Sequence, residues 1–403
     1  MRPFTQTIPL DDARRLLAAE ARPLDRTEIA PLAELSGRVI AEPLTSPGDV
    51  PPFARAMMDG YAVVATDTAG ASRQSPIELT VVGRVFTGEV FTGAALRPGQ
   101  CVEIATGAPL PDGATAVVMV EETVPAGDGA VQVLTSVHDG QHVGRAGADI
   151  ARGAAVLRAG DVLLPARVGA VAAIGASEAR VFARPRVAVI STGNEVVAPG
   201  QALAAGQIHD VNKHTLAAIV ATHGGVPVPF DVAADTIEAL DATLTQALDC
   251  DLVLLSGGSS VGTRDLVMDV LSARGRVVFH GIATRPGKPT AFGVIDGVAV
   301  FGMPGNPASC LTNAYVLLVP FLRTLAHLPA HRPHVVAAPL ARRVTSSLGR
   351  HQFYTVRLVD GRAEPAFKAS GDITSLAHAD GYIEISSDVA AIEAGSLVDV
   401  ILF

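Results

Sequence analysis

Three glycine- and proline-rich loops in the third quarter of the chain, each entered from a short apolar run, constrain the fold more than any other feature. RVAVI runs into STGNE (Ser191, Thr192, Gly193, Asn194, Glu195), LVLLS into GGSSVGTRD (Gly257 to Asp265), and VAVFG into MPGNPAS (Met303 to Ser309). Helix-periodic stretches lie between them. Asn212 to His223 puts Leu216, Ile219 and Val220 on one face before Gly224-Gly225, and Thr236 to Leu248 spaces Leu240, Leu244 and Leu248 four apart. Asp235, three residues before Glu238, reads as the cap of that second helix. Further helices are expected over Leu266 to Ala273 and from about Ala308 to Ala326. VVFHGI reads as a strand, and TAFGVIDGVAVFG as a hairpin about Asp296-Gly297. The alternation predicts a parallel or mixed sheet with helices on both faces. In such a sheet ligands bind outside the carboxyl ends of the strands, where these loops gather.

The loops suit an anion. Small residues let backbone approach closely, and a helix N-terminus offers unpaired N–H groups; SGGSSVG and PGNPAS both lead into helices, with Pro307 placed for a first turn. Taken singly, each could equally be a tight connection, and the GK[ST] of a Walker A loop is absent. Arg285 and Lys288 in ATRPGKPT are two cations on a proline-glycine turn, suited to a tetrahedral oxyanion or a phosphate. Glu195 and Asp265 end loop segments where a carboxylate beside a bound phosphate would hold Mg2+, although helix capping is the plainer role for Asp265. Asp59-Gly60 and the TGAPLP loop that begins at Thr106 read as turns with no chemistry of their own.

At 403 residues the chain has room for two to four domains of roughly 100–200 residues each. Its net charge of −9 disfavours a general phosphate-backbone binder, and an aromatic content of 4% without tryptophan disfavours base-stacking platforms, so no nucleic-acid partner is expected. Cys101, Cys250 and Cys310 are odd in number and far apart, neither a disulfide framework nor a zinc motif, and a reducing, cytoplasmic setting is the natural reading. No signal peptide or membrane span is expected; the longest apolar candidate, Leu311 to Leu328, is interrupted by Asn313, Pro320, Arg323 and His327.

Upstream, residues 10–20 read as an amphipathic helix, and four prolines within 43–52 suggest a crossing between domains. IELTVVG, CVEIATG, ATAVVMVEE and AVQVLTSV make 60–145 strand-rich, and 146–180 reads as a strand end followed by a small helix. Beyond Pro333, HVVAAPL, FYTVRLV, YIEIS and LVDVILF form a small β domain, with turns expected at Asp360-Gly361 and Asp380-Gly381.

Together these segments resemble the MoeA family of molybdenum-inserting enzymes, whose eukaryotic relatives are the E domains of gephyrin and its plant counterpart. PPFARAMMDGYAV, TGAPLPDGATAVV, the Gly-Ala-Asp-Ile stretch at 147–150, STGNE, SGGSSVG, RPGKPTAFG, MPGNPASC and SGDITSLAHADGYI occur collinearly over nearly the whole chain. The resemblance implies a multidomain α/β plus β fold: an elongated discontinuous domain (1–45 and 146–180), a strand-rich inserted domain (46–145), a molybdopterin-binding α/β domain with a mixed sheet (181–330) and a C-terminal β-barrel (331–403). It implies an L-shaped subunit in a homodimer whose cleft forms between subunits, so that Asp59 serves the partner. The implied reaction takes adenylylated molybdopterin, molybdate and Mg2+, transfers molybdenum to the pterin dithiolene and releases AMP, with either water or a molybdate oxygen as the attacking group. Molybdopterin adenylyltransferase is the implied supplier, and molybdoenzymes or their chaperones the recipients.

By the same resemblance Asp59, Thr106, Arg145, Asp149, Glu195, Asp235 and Asp265 fall on functional positions, with Glu195 and Asp265 toward Mg2+ and the pyrophosphate. Arg285, Lys288, Ser309 and Ser370 would surround molybdate, and Pro304 and Pro307 would shape that pocket. Ser191, Thr192, Gly193, Gly257, Gly258, Ser260, Gly305, Asn306 and Arg350 complete the implied binding set. Four positions depart from the family pattern: Ala56, Ser259, Arg285 for the usual first lysine of KPGKP, and Thr355 for a usual arginine, with Arg350 and Arg357 nearby. Arg285 and Thr355 leave room for a second reading, a paralogue that binds the pterin nucleotide as a scaffold or carrier. A nucleotide-dependent phosphotransferase is disfavoured, because kinase motifs are also absent.

Overall fold

The computed structural model describes residues 7–257 and 266–403. The chain forms two compact units, one of residues up to 28, 37–39 and 181 onward, the other of 29–36 and 40–180.

In the first unit the alternating segments build a six-stranded mixed sheet. Its strands are β1 (Arg186–Ser191), β2 (Val226–Pro229), β3 (Leu252–Ser256), β4 (Arg276–His280), β5 (Ala291–Ile295) and β6 (Val298–Met303), in the order β2-β1-β3-β6-β5-β4. β1 runs parallel to β2 and β3, and β3 parallel to β6, while β5 is antiparallel to both β6 and β4. The β5–β6 hairpin turns on Asp296 and Gly297, both at positive φ (51° and 85°), the condition for a two-residue turn that follows strand twist. Alternate residues of each central strand enter different cores, as a sheet covered on both faces requires. Val187, Val189, Leu252, Leu254, Phe301 and Met303 pack with the helix Leu10–Glu20, the helix Asn212–Thr222 and the helical run Pro307–Leu325. Ala188, Ile190, Val253, Leu255 and Val300 pack with the helices Ile237–Ala247 and Leu266–Arg274.

Two expectations are corrected here, a helix cap and a turn, while the helix expected over about 308–326 is found. The cap of Ile237–Ala247 is Thr236, whose Oγ1 accepts from Ala239 N at 3.1 Å; Asp235 lies exposed one residue earlier. The interrupted run 311–328 falls largely within one continuous helical stretch, Pro307–Leu325, with a π-helical turn at Ala314–Leu318 ahead of Pro320, where the missing N–H leaves the ordinary ladder open. That stretch is long and apolar enough to cross a membrane by length and composition, but its surface is spent on the core, with 72% of its apolar window buried. Asp380-Gly381 is no turn. Gly381 opens a strand (Gly381–Ile385) and is tied to glycine by close approach, since a Cβ there would sit 2.2 Å from Ile401 O.

The C-terminal strands of the same unit form a second sheet, ordered Thr284–Arg285, His351–Val359, Gly381–Ile385, Leu397–Leu402 and Val335–Pro339, with Arg362–Pro365 joined to His351–Val359. Thr284 and Arg285 pair with His351 and Gln352, so the start of the RPGKP turn is an edge of this strand-rich domain.

The second unit holds a six-stranded sheet ordered Ala116–Met119, Gly60–Val63, Gln100–Ile104, Ile77–Val85, Ala130–Val133 and Thr123–Pro125. Gly60 begins a strand rather than a turn, and a Cβ on it would lie 1.9 Å from Val118 O. The proline-rich stretch is structured: Leu44–Thr45 pairs with Ala155–Leu157, and Val50 with Ile150.

Gly381→Ala forces backbone apart within a buried sheet. It is expected to lower stability by about 1–3 kcal/mol, the usual cost of overpacking, read as a lowered urea midpoint at unchanged slope.

Candidate functional site

The register of the sheet brings the three loops together. Ser191 on β1 pairs with Ser256 on β3, and Ser256 with Met303 on β6, so three adjacent strands end on one rung. β1 is flanked by the two strands that follow it, β2 and β3, so the chain reverses its direction of winding there. A cleft of about 1010 Å³ opens beyond this rung. Its walls are Ser191, Thr192 and Glu195 from the first loop, Ser256 and Gly257 from the second, and Pro304, Gly305, Asn306, Pro307 and Ser309 from the third. Arg285 and Lys288 join them from the RPGKP turn, and Arg350, Lys368 and Ser370 from the C-terminal domain.

Each loop is shaped by a close approach. Gly193 (φ +141°) lies under the carboxylate of Glu195, and a Cβ there would be 2.7 Å from Glu195 Oε2. Gly257 (φ +95°) is pressed on the first loop, with Thr192 O 2.4 Å from where its Cβ would stand. Between these loops Thr192 N donates to Ser256 O at 2.8 Å. The third loop is fastened to the C-terminal domain, because Asn306 Nδ2 donates to Ser370 Oγ at 2.9 Å and Ala308 N to Ser370 O at 3.1 Å.

The basic turn is held at both ends. Arg285 Nη1 donates to Ser347 Oγ at 2.7 Å, and Asn313 Nδ2 donates to Gly287 O at 2.9 Å and to Thr290 Oγ1 at 2.6 Å. Gly287 (φ +102°) is packed on that amide, since an added Cβ would stand 2.4 Å from Asn313 Nδ2. Four cations therefore line the cleft, two of them on a fixed turn, against the carboxylates of Glu195 and Asp210, the second of which is ion-paired to Lys213 at 3.6 Å. A protein of net charge −9 thus presents a locally basic wall.

Glu195 is exposed in this cleft. No group of three or more His, Cys, Asp or Glu side chains able to hold a metal occurs among the described residues. A cation such as Mg2+, which keeps waters and takes one or two carboxylates with phosphate oxygens, fits such a donor set. Gly258, Ser260 and Asp265, with the departure at Ser259, lie outside the described residues. Cysteine chemistry has no support here: the three thiols are free and buried, and burial pushes Cys310, behind Ser256, up to about 12.

Other predicted residues stand apart from the cleft walls. Asp235 is exposed, its N–H held by Asn194 Oδ1 at 3.2 Å, so it adjoins the first loop. In the second unit Asp59 accepts from Thr106 N at 2.6 Å and from Thr106 Oγ1 at 2.8 Å, which joins two motifs that had no separate reading. The Thr106 backbone N–H, then its hydroxyl, hold the Asp59 carboxyl below the usual carboxylate range. Arg145 and Asp149 are exposed on one turn of that unit. Motif reading missed Asp210, Asn212, Ser256, Ser347 and Lys368; the pairing of Asp and Asn in HDVN just ahead of a helix was the signal available for the first two.

A cleft with a basic wall at the carboxyl ends of a doubly wound sheet, with a strand-rich domain contributing to it, defines the chain's first unit as a ligand-binding α/β domain. Residues 188–324 match the description "Probable molybdopterin binding domain". The flanking segments match "MoeA N-terminal region (domain I and II)" over residues 8–175 and "MoeA C-terminal region (domain IV)" over 337–403. The chain belongs to the MoeA family. Among its relatives, the molybdopterin molybdenumtransferase 2 of Mycobacterium tuberculosis is 37% identical over 95% of this chain and 97% of its own length. The molybdopterin molybdenumtransferase of Nostoc sp. is 34% identical over 93% and 88%. A solved molybdopterin biosynthesis moeA protein from Pyrococcus horikosii superposes with a TM-score of 0.85 at 39% identity, covering 98% of this chain and 99% of that one.

Thr106→Val removes the hydroxyl donor to Asp59 and is expected to raise the Asp59 pKa toward its ordinary value, as followed by carboxyl 13C shift against pH. An unmoved titration would mean that the hydroxyl contributes nothing to holding the charge.

Proposed function

We propose that the chain is a molybdopterin molybdenumtransferase of molybdenum cofactor biosynthesis, which inserts molybdenum from molybdate into adenylylated molybdopterin with Mg2+-dependent release of AMP. The observation that carries this reading is the assembly of Arg285, Lys288, Arg350, Ser309 and Ser370 in the same cleft as Glu195. Molybdate is a tetrahedral dianion, and two fixed cations with hydroxyl and backbone donors suit it. Glu195 and Asp265 hold Mg2+ in this reading, and the bound ion would neutralise and polarise the pyrophosphate. Lys288 and Arg285 bind and orient the oxyanion, while Ser309 and the third loop position it against the pterin. Asp59 and Thr106 serve the same reaction, and the active form is a homodimer, to be checked by sedimentation.

The scaffold reading loses support from Thr355. That residue is buried on its strand and is not part of the cleft wall, whereas Arg350, on the turn before it, is.

The test supplies purified protein with adenylylated molybdopterin, Mg2+ and molybdate and follows AMP release with cofactor formation. Tight nucleotide binding without molybdate-dependent AMP release would favour the scaffold. Lys288→Ala is expected to raise the molybdate concentration for half-maximal rate by about 10-fold or more, the loss of one charge-assisted contact of roughly 1.5–3 kcal/mol. An unchanged concentration dependence would remove Lys288 from the anion site. Asp265→Ala is expected to keep nucleotide binding and lose cleavage, and wild-type turnover would remove that carboxylate from the reaction.

A further inference from the structure

We propose that Asp210 and Asn212 are positioning residues for this cleft, fastening the ends of β1, β3 and β6 to one another and so setting how the three loops meet ligand. The catalytic readout rests on the function proposed above; the structural readout does not. The strands end at the rung of Ser191, Ser256 and Met303, and beyond it backbone pairing is reduced to single links such as Thr192 N to Ser256 O, the Thr192–Ala233 bridge and Gly257 N to Met303 O. The chain returns to that rung through a short parallel ribbon, Val196–Val197 beside Ile208–His209, which delivers Asp210 and Asn212 into the cleft wall.

Both side chains are buried, at 3% and 8% exposure, and both reach strand ends distant in sequence. Asp210 Oδ1 accepts from Ser191 Oγ at 3.0 Å, at the end of β1, and from Lys213 N at 3.0 Å, in the first turn of the helix Asn212–Thr222. Asn212 Nδ2 donates to Ser256 Oγ at 2.7 Å, at the end of β3, and to Gly305 O at 2.7 Å, with Pro304 O at 3.5 Å, just beyond β6. The polarity of the second contact has a consequence. A trans peptide points its N–H opposite to its C=O, so holding the Gly305 carbonyl toward Asn212 turns the Asn306 N–H the other way, as a donor. Asn212 thereby selects one orientation of a loop that lines the anion cleft. Asp210 acts through Ser191 and the helix start, and its charge is matched by Lys213.

Two near-isosteric changes separate positioning from chemistry. Asn212→Asp replaces the donor by an acceptor facing two carbonyls. Asp210→Asn keeps an acceptor for Ser191 Oγ and Lys213 N and removes only the charge. With adenylylated molybdopterin and molybdate, Asn212→Asp is expected to lose about 100-fold in kcat/KM, carried mainly by kcat, the scale of a displacement of about 1 Å in a reacting site. Asp210→Ala, which removes both acceptor contacts, is expected to lose about 10-fold or more in kcat/KM, and Asp210→Asn, which keeps them, to recover most of that loss. In ligand-free protein, hydrogen exchange of peptides spanning 303–309 should quicken in Asn212→Asp while peptides of the β5–β6 hairpin keep wild-type protection. Should Asn212→Asp not accumulate folded, Asn212→Ser, with a shorter donor, should give an intermediate loss and the same local exchange. Wild-type kcat and exchange in the Asn212 variants would overturn the proposal. So would an inactive Asp210→Asn with undisturbed exchange, which would make that carboxylate a chemical group. If the wild type itself releases no AMP, the functional reading fails, and the exchange result alone decides the positioning roles.

Discussion

Ser191, Ser256 and Met303 share one rung of a parallel ladder, and the chemistry of the first unit depends on that register. Parallel pairing places the carboxyl ends of adjacent strands on the same edge, so loops far apart in sequence leave the sheet side by side. A one-residue slip of β3 would exchange Val253 and Leu255 with Leu252 and Leu254 between two different cores. The cost of that exchange is what makes the register unique. The loops can therefore be built almost wholly from small residues, because their location is enforced by hydrophobic burial below them.

Below the rung, apolar packing fixes position; above it, polar side chains do. Asn212 and Asn313 play matching parts, each turning its amide onto a backbone carbonyl of a loop, Gly305 O and Gly287 O, beside those loops' own ties through Asn306 and Arg285. Gly287 in the basic turn and Gly193 in the first loop both sit at close approaches that leave no room for a Cβ. The basic turn is also spliced into the edge of the C-terminal sheet by Thr284 and Arg285, and the third loop is bonded to Ser370. The strand-rich domain thus supplies side chains to the cleft and also sets the frame of two of its walls.

The elements with local signatures were legible in the sequence. The apolar runs before STGNE, SGGSSVG and MPGNPAS are strands, and the Asp296-Gly297 and Asp360-Gly361 pairs are hairpin turns with positive φ at both residues. Asp380-Gly381 carries the same dipeptide with another cause, because its glycine answers to Ile401 O across the sheet. Asp235 and Thr236 are both good caps by type, and only geometry chooses the hydroxyl. For Asn212 the HDVN run marked the residue but not what it holds, and Ser347 was not legible at all. Their partners are Gly305 and Arg285, 93 and 62 residues away, and no local pattern encodes such a pairing.

The departures from the family pattern can be placed on the same footing. A guanidinium is a planar fork of five donors, so one edge can be tethered while another stays aimed at an anion; an ammonium offers three donors from a single nitrogen, with no separate edges. Arg285 uses one N–H on Ser347, itself on the turn that carries Arg350 into the cleft wall. The exchange of lysine for arginine therefore ties two cations of the site to one structural element. Thr355 lies buried further along the strand that follows, so the arginine missing there leaves Arg350 in place at the wall. The two substitutions that first suggested a lost activity leave the charge of the cleft standing, and one of them makes its geometry stiffer.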